Sequence, residues 1–120
     1  MRSILIVDDH APFRVVAREL LERDGYRVVG EAADGVGALD AALSLAPDVV
    51  LLDVHLPGDD GFRICERMQQ LPEVPAVVLT SSHGVSAFRH RLRASRARGF
   101  ITKADLTPVA LTALLDADQP

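Results

Sequence analysis

The sequence predicts an α/β fold in which helices cover a parallel five-stranded sheet. Five short runs rich in Val, Ile and Leu alternate with longer amphipathic stretches, the order expected of repeated strand–helix units. The third run, Val49-Val50-Leu51-Leu52, is apolar throughout, as expected for a strand covered by helices on both faces. Polar residues directly follow four of the runs. Parallel strands end at one edge of a sheet, where such folds place their ligand site.

The elements follow one another without an internal repeat or an obvious interdomain linker. We place the strands near 3–8, 26–32, 48–53, 75–80 and 98–102, and the helices near 12–24, 35–46, 60–70, 84–95 and 107–116. Pro12 and the pair Thr107-Pro108 fit the first turn of a helix, where proline's missing N–H removes no hydrogen bond. Gly25 and Pro47 are typical of residues that end helices.

Apolar residues at helical spacing predict the faces that three helices turn toward the core. The predicted inward residues are Phe13, Val16, Ala17, Leu20 and Leu21 in the first helix, Val36, Leu39, Leu43 and Ala46 in the second, and Ala110, Leu111, Leu114 and Leu115 in the last.

Length and composition indicate one globular domain. The chain has 120 residues, of which 48% are hydrophobic and 25% charged. Its apolar runs are too short for a membrane span or a signal peptide, and the lone Cys65 cannot form an internal disulfide, so we expect a cytoplasmic protein. The net charge of −4 argues against direct nucleic-acid binding by this domain. We expect the domain over 1–116 and a tail, or the start of a linker, over 117–120.

Carboxylates, a hydroxyl and an ammonium are expected to meet at the edge of the sheet. Asp8-Asp9 follow the first strand, Asp53 the third and Thr80 the fourth, and Lys103, the only lysine among 13 basic residues, follows the fifth. Three carboxylates held close together repel one another unless a cation lies between them. Mg²⁺ takes oxygen ligands and is often held by one or two carboxylates and a substrate phosphate. The pattern therefore favours a site for a divalent cation and a phosphoryl group.

These residues, at these spacings, resemble the site of response-regulator receiver domains in two-component signalling. The resemblance covers residues 3–115 and includes the loop Leu56-Pro57-Gly58-Asp59-Asp60-Gly61. Val7-Asp8-Asp9-His10, together with a non-proline residue after Lys103, is most similar to the NarL/FixJ-like class of transcription regulators. The resemblance implies a flavodoxin-like, doubly wound (βα)5 sandwich with strand order 2-1-3-4-5.

By this resemblance, Asp53 accepts a phosphoryl group from a sensor histidine kinase. Asp9 and Asp53 would bind Mg²⁺ (or Mn²⁺) directly, with the backbone carbonyl of His55 as a third ligand and Asp8 acting through water. The chain would label itself about once and would not turn over an external substrate, so we expect a signalling switch and not an enzyme.

The resemblance also implies how the phosphoryl group is sensed. Thr80 and Lys103 would contact its oxygens, and Phe100 would be the aromatic residue that moves when the threonine moves. In this family the peptide bond after the lysine tends to be cis, so we expect a cis bond between Lys103 and Ala104, although cis costs about 3 kcal/mol without proline.

A basic cluster falls on or near the face formed by the fourth helix, fifth strand and fifth helix. Its residues are Arg89, His90, Arg91, Arg93, Arg96 and Arg98. Charge runs are most often solvated helix faces, and the cluster has that interpretation too. The alternative is a docking surface, used in a phosphorylation-dependent homodimer or by a C-terminal DNA-binding output domain.

Three other functions fit parts of the pattern less well. An Mg²⁺-dependent phosphohydrolase of the haloacid-dehalogenase type would need Asp-x-Asp after the first strand, but Asp8-Asp9-His10 stands there. A degenerate receiver acting as a constitutive interaction module would not need all five site residues. His10 and His55 beside the carboxylates also allow a zinc site, but oxygen donors and the lack of a cysteine cluster favour Mg²⁺.

Overall fold

Five parallel strands form one sheet in the computed structural model, which describes residues 2–117. They are β1 (Ser3–Val7), β2 (Arg27–Ala32), β3 (Val49–Asp53), β4 (Ala76–Ser81) and β5 (Gly99–Thr102). Their order in the sheet is β2-β1-β3-β4-β5, and a separate two-residue ladder joins His55–Leu56 to Asp59–Asp60. The predicted fold and strand order are confirmed. The predicted tail falls largely on residues 118–120, outside the described part of the chain.

Helices cover both faces of the sheet and complete two separate apolar cores. They are α1 (Ala11–Arg23), α2 (Gly35–Leu45), α3 (Gly61–Met68), α4 (Arg89–Ala94) and α5 (Pro108–Asp116). One core lies beneath α1 and α5, the other beneath α2, α3 and α4. Alternate residues of β1 point to opposite faces of the sheet. Ile4 and Ile6 pack in the core beneath α1 and α5, and Leu5 and Val7 pack in the other core.

Side chains that accept backbone N–H groups mark where several helices begin. Asp34 accepts from Gly37 N before α2, and Thr107 accepts from Ala110 N before α5, so Thr107 caps its helix as predicted. None of the helices among residues 2–117 is both long and apolar enough to cross a membrane.

The inward faces of α1 and α2 differ from the prediction. Val16 is 54% exposed, and in α2 Val36 and Leu43 are 72% and 60% exposed. Ala38 and Ala42 are buried instead. Small residues let α2 lie close to the sheet, and the larger side chains of Val36 and Leu43 point to solvent. The prediction for α5 was correct, since Leu111 and Leu115 are buried.

The fourth helix is shorter than predicted. A 3₁₀ turn covers Val85–Ala87, Phe88 has φ −126° and ψ 6°, and α4 begins only at Arg89. Gly84, a β-branched valine and a serine are all weaker helix formers than alanine or leucine. The segment between β4 and α4 therefore folds as a turn beside the carboxyl edge of the sheet.

Candidate functional site

Four neighbouring strands bring the predicted site residues to one edge of the sheet. Asp8 follows β1, Asp53 ends β3 and Lys103 follows β5. Asp53 pairs in register with Thr80 of β4, and the N–H of Val54 donates to the Thr80 carbonyl at 2.9 Å. Parallel pairing of buried apolar strands thus places these polar groups side by side.

Lys103 joins the two buried carboxylates. Its Nζ lies 2.7 Å from Asp8 Oδ2 and 3.1 Å from Asp53 Oδ2. The residues Asp8 and Asp53 are 0% and 4% exposed, whereas the lysine side chain keeps 15% of its surface in solvent. A buried pair of carboxylates needs a positive partner, and a single ammonium fills that role here.

The charges in this cluster shift one another's pKa values. Burial raises the pKa of Asp53, although hydrogen bonds from the His55 N–H and from Lys103 oppose it. Burial alone would lower the pKa of Lys103, but hydrogen bonds to Asp8 and Asp53 outweigh this, and its pKa is raised. The lysine is therefore held in its cationic form, while burial disfavours the charged form of Asp53.

Short turns at three strand ends fix the polar side chains. Asp8 Oδ1 accepts from the His10 N–H at 2.9 Å, and Asp53 Oδ1 accepts from the His55 N–H at 3.0 Å. After β4, Ser81 Oγ accepts from the His83 N–H at 3.0 Å. Such turns hold the side chains in place, and in each a histidine stands two residues after the accepting side chain.

An open cleft of about 500 Å³ lies over this edge. Its lining residues are Asp9, His10, Asp53, His55, Leu56, Pro57, Ser82, His83 and Lys103. Thr80 is only 1% exposed and is not among them, although it lies beside Asp53 in the sheet. The structure thus brings Asp9, Asp53, His55 and Lys103 together around the cleft and leaves Asp8 and Thr80 buried beneath it.

The peptide bond between Lys103 and Ala104 is trans, as are the other bonds of the described residues, so the expected cis bond is wrong. Without proline the trans form is favoured by about 3 kcal/mol. Lys103 begins a 3₁₀ turn (Lys103–Asp105), and its long side chain reaches both carboxylates from that backbone.

Gly61 allows the loop after β3 to lie against that strand. A Cβ atom at Gly61 would overlap the carbonyl oxygen of Asp53 and come within 2.8 Å of the Cα of Val54. The Gly61 N–H donates to the Val54 carbonyl at 2.7 Å. The loop sequence singled out above contains this glycine. Only the packing shows that α3 can begin next to Asp53 because Gly61 has no side chain.

An aromatic row runs from the cleft to β5. The ring of Phe88 lies 5.7 Å from His55, 6.1 Å from Phe62 and 5.8 Å from Phe100, measured between ring centroids. Phe88 is buried, and Phe100 is partly buried against the same core. The sequence analysis missed Phe88, because a phenylalanine between a glycine-containing turn and a basic helix shows no periodicity of its own.

The basic cluster divides into engaged and free arginines. Arg91 forms an ion pair with Asp60 and lies 4.3 Å over the ring of Phe62. Arg98 donates to the Leu115 carbonyl. Exposed Arg89, Arg93 and Arg96 have no ion pair to any of residues 2–117.

The residues at the cleft fit a divalent cation. Asp8 Oδ2 is fully buried, and its charged neighbour is Lys103 Nζ at 2.7 Å. Asp8, Asp9 and His10 each offer one ligand atom, and these atoms lie within 4.8 Å of one another. Carboxylate oxygens are the protein ligands that Mg²⁺ prefers.

Comparison with known sequences places the chain among signalling proteins. A family model described as the response regulator receiver domain matches residues 4–116. The chain is 36% identical over 117 residues to the transcriptional regulatory protein PdtaR of Mycobacterium tuberculosis, covering 97% of this chain and 54% of that protein. It is 40% identical over 82 residues to sporulation initiation phosphotransferase F of Bacillus subtilis, covering 68% and 65%. The chain spans about half the length of the transcription regulators it matches.

Solved structures agree with this placement. The signal receiver domain of NarL from Mycobacterium tuberculosis is similar with a TM-score of 0.84 and 30% identity, covering 97% of this chain and 98% of that one. The response regulator domain of Thermotoga maritima CheB is similar with a TM-score of 0.83 and 27% identity, covering 100% and 99%. The predicted likeness to NarL-type receivers is confirmed.

Proposed function

This chain belongs to the family of response-regulator receiver domains, and on that premise we propose that Asp53 is its phosphoacceptor. Membership makes the domain a two-component signalling switch. The observation that supports the acceptor is the position of Asp53, which ends the central strand, lines the cleft and holds Lys103 at 3.1 Å. Asp8 is fully buried beneath the ammonium, and Asp9 is exposed at the rim.

The transfer needs a nucleophile, a leaving group and neutralisation of charge. An oxygen of the Asp53 carboxylate forms a bond to phosphorus while the bond between phosphorus and the kinase histidine breaks, leaving neutral imidazole after proton uptake. The His55 N–H holds Asp53 Oδ1, which keeps the carboxylate oriented. Lys103 is placed to pass from the Asp53 carboxylate to the phosphoryl oxygens. Phosphoryl transfer depends mostly on such positioning and charge stabilisation.

A divalent cation would complete the site. We propose that Asp9, Asp53 and the carbonyl of His55 hold Mg²⁺ or Mn²⁺, with Asp8 acting through water. When bound, the ion supplies positive charge for the phosphoryl oxygens. The closeness of the Asp8, Asp9 and His10 ligand atoms and the rim position of Asp9 support this assignment.

Phosphorylation would then act on the face that carries the free arginines. Thr80 lies under the cleft and Phe100 lies on the neighbouring strand, so movement of the hydroxyl toward a phosphoryl oxygen would open space for the ring. We propose that Arg89, Arg93 and Arg96 then contact a second copy or an output domain. The transcriptional regulators similar to this chain are about twice its length, which supports the proposal of an output domain in addition to the receiver domain.

Labelling with a small phosphodonor tests the acceptor. Given Mg²⁺ and acetyl phosphate, the chain should gain one phosphoryl group that is labile to alkali and hydroxylamine. Asp53→Asn should take none, and Asp24→Asn, an exposed aspartate after α1, should label like the parent. Equal labelling of the Asp53 variant by intact-mass spectrometry would refute the assignment.

The same experiment separates the alternatives. A phosphohydrolase would release inorganic phosphate continuously without accumulating label. A degenerate module would take no label at all. A sensor histidine kinase is the proposed physiological donor, and transfer from a phosphorylated kinase should show the same dependence on Asp53.

A further inference from the structure

Arg14 connects the acidic edge of the sheet to helix α1 and strand β2. It lies in the first turn of α1, where its Nη1 donates to the backbone carbonyl of Asp8 and its Nε donates to Glu31 Oε1 at 2.9 Å. Arg18 lies one turn further along and donates its Nε to the other oxygen of Glu31 at 2.8 Å. One carboxylate on β2 thus binds two arginines, and Arg14 is the one whose guanidinium also contacts a site residue.

The charges of this group are balanced within it. Burial would raise the pKa of Glu31, but hydrogen bonds from Arg18 and Arg14 outweigh it, and the pKa is lowered. Arg18 also pairs with Glu22 at 3.4 Å. Two carboxylates therefore face two guanidinium groups, and Arg14 adds little net charge to the cleft. We therefore expect Arg14 to act on the cleft mainly through its hydrogen bonds.

The carbonyl that Arg14 contacts belongs to the peptide that joins Asp8 to Asp9. Asp8 is 0% exposed, so its carbonyl oxygen needs a donor from the protein, and Arg14 supplies one. The side chain of the same residue is also held, since Asp8 Oδ1 accepts from the His10 N–H at 2.9 Å. Asp9, between these contacts, is exposed and lines the cleft. The direction of the Asp9 side chain therefore depends on how the contacts hold the backbone around it.

We propose that Arg14 is a positioning residue, which fixes the peptide between Asp8 and Asp9 so that the Asp9 carboxylate faces the cleft. The inference rests on the proposed function, in which Asp9 binds Mg²⁺. The planar guanidinium offers several donors in a fixed fork, so it contacts Glu31 and the Asp8 carbonyl at once. A lysine would present one compact charge without this fork. Positive charge alone would repel Mg²⁺, so positioning and charge predict opposite effects when Arg14 is removed.

Calorimetric titration of the chain with MgCl₂ tests the proposal. Arg14→Gln should weaken Mg²⁺ binding about tenfold, the lower end of the loss seen when a partner behind a metal ligand is removed. The matched control is Arg18→Gln, because Arg18 also pairs with Glu31 but, within the described structure, donates to no atom of Asp8. Its affinity should stay within about twofold of the parent's. Arg14→Lys keeps the charge but not the fork, so its affinity should remain at least about threefold below the parent's.

Urea unfolding in EDTA separates positioning from stability. Arg14→Gln and Arg18→Gln each lose one ion pair with Glu31, so both midpoints should fall by a similar small amount. The proposal is overturned by Mg²⁺ binding in Arg14→Gln as tight as in the parent, by an equal loss in Arg18→Gln, or by full affinity in Arg14→Lys. A parent that binds no Mg²⁺ would refute the proposed cation site and this role with it. A parent that binds Mg²⁺ but leaves Asp53 unlabelled would refute the phosphoacceptor alone.

Discussion

Replacing Lys103 with methionine isolates the role of the one ammonium in the site. The methionine keeps a flexible chain of similar length, which can still pack beside the ring of Phe13, 4.8 Å from the lysine nitrogen. It removes the positive charge at 2.7 Å from Asp8 and 3.1 Å from Asp53. Two carboxylates that are 0% and 4% exposed then face each other without a counter-charge.

The expected loss of stability at pH 7 follows from this burial. Removing one partner of a buried ion pair typically destabilises a protein by about 3–5 kcal/mol, and we take the lower end, about 3 kcal/mol, because the cleft is open to water. In a domain of this size that corresponds to a fall in Tm of about 10 °C. Urea unfolding and thermal melts in EDTA, compared with Arg89→Met on the exposed surface, provide the measurement.

The loss should depend on pH in a defined direction. The pKa of Asp53 is raised in the folded protein. Ionisation of Asp53 therefore opposes folding once the pH exceeds the pKa that this residue has in the unfolded chain. Acidification toward pH 4 should therefore stabilise the variant and reduce the difference in free energy of unfolding between it and the parent. The pKa of Lys103 is raised from 10.5, so its contribution is complete below that pH and is lost as pH rises above it. In strong alkali the free energies of unfolding of parent and variant should therefore become similar again.

Magnesium should partly restore the variant, because a cation at the carboxylates replaces the missing charge. The increment in Tm from saturating Mg²⁺ should be larger in Lys103→Met than in the parent. A variant as stable as the parent at pH 7 in EDTA, or a deficit that stays constant from pH 4 to pH 9, would refute this account of the site.

Three further outcomes are expected. Mg²⁺ at a hundred times its Kd should stabilise the parent by about 2.7 kcal/mol, and Asp9→Ala should lose most of that gain in a thermal melt. Gly61→Ala should destabilise the domain by about 1–3 kcal/mol, because its Cβ meets strand backbone, whereas Gly84→Ala, with open space around it, should change stability little in urea unfolding. Arg89→Glu combined with Arg93→Glu should keep Asp53 labelling but abolish phosphorylation-induced, salt-sensitive association in light scattering. Normal association of this double variant would show that these arginines are only solvated.

Local rules were enough to predict the sheet and its acidic edge. Every strand lies within one residue of its predicted ends, because continuous runs such as Val49–Asp53 can only be buried between two helical layers. Once the strands are parallel, the residues after them must meet, and Asp8, Asp53 and Lys103 do so within hydrogen-bonding distance. The placement of these residues at one edge of the sheet could thus be predicted from residue types at strand ends.

What could not be predicted depends on distances between elements. Glycine is needed at position 61 because α3 starts against the backbone of β3. The distance between these two elements cannot be predicted from the sequence. The helical spacing of Val36 and Leu43 does not say whether these side chains point to the core or to solvent. They point to solvent because α2 packs closely on the sheet through Ala38 and Ala42. His83 joined the site only because the segment after β4 folds back as a turn.

The sequence of the basic cluster likewise does not reveal which of its arginines have partners in the fold. Along the chain its arginines look equivalent, and a long fourth helix would have made them one repelling row. The helix ends at Ala94, within one residue of its predicted end, so Arg96 and Arg98 lie beyond it, and Arg91 is held by Asp60 and the Phe62 ring. That contact ties α4 to the loop that follows the acceptor strand, so part of the cluster belongs to the domain's own packing. Only Arg89, Arg93 and Arg96, which form no ion pair within the described chain, remain available to a partner, and the charge-reversal experiment changes the first two.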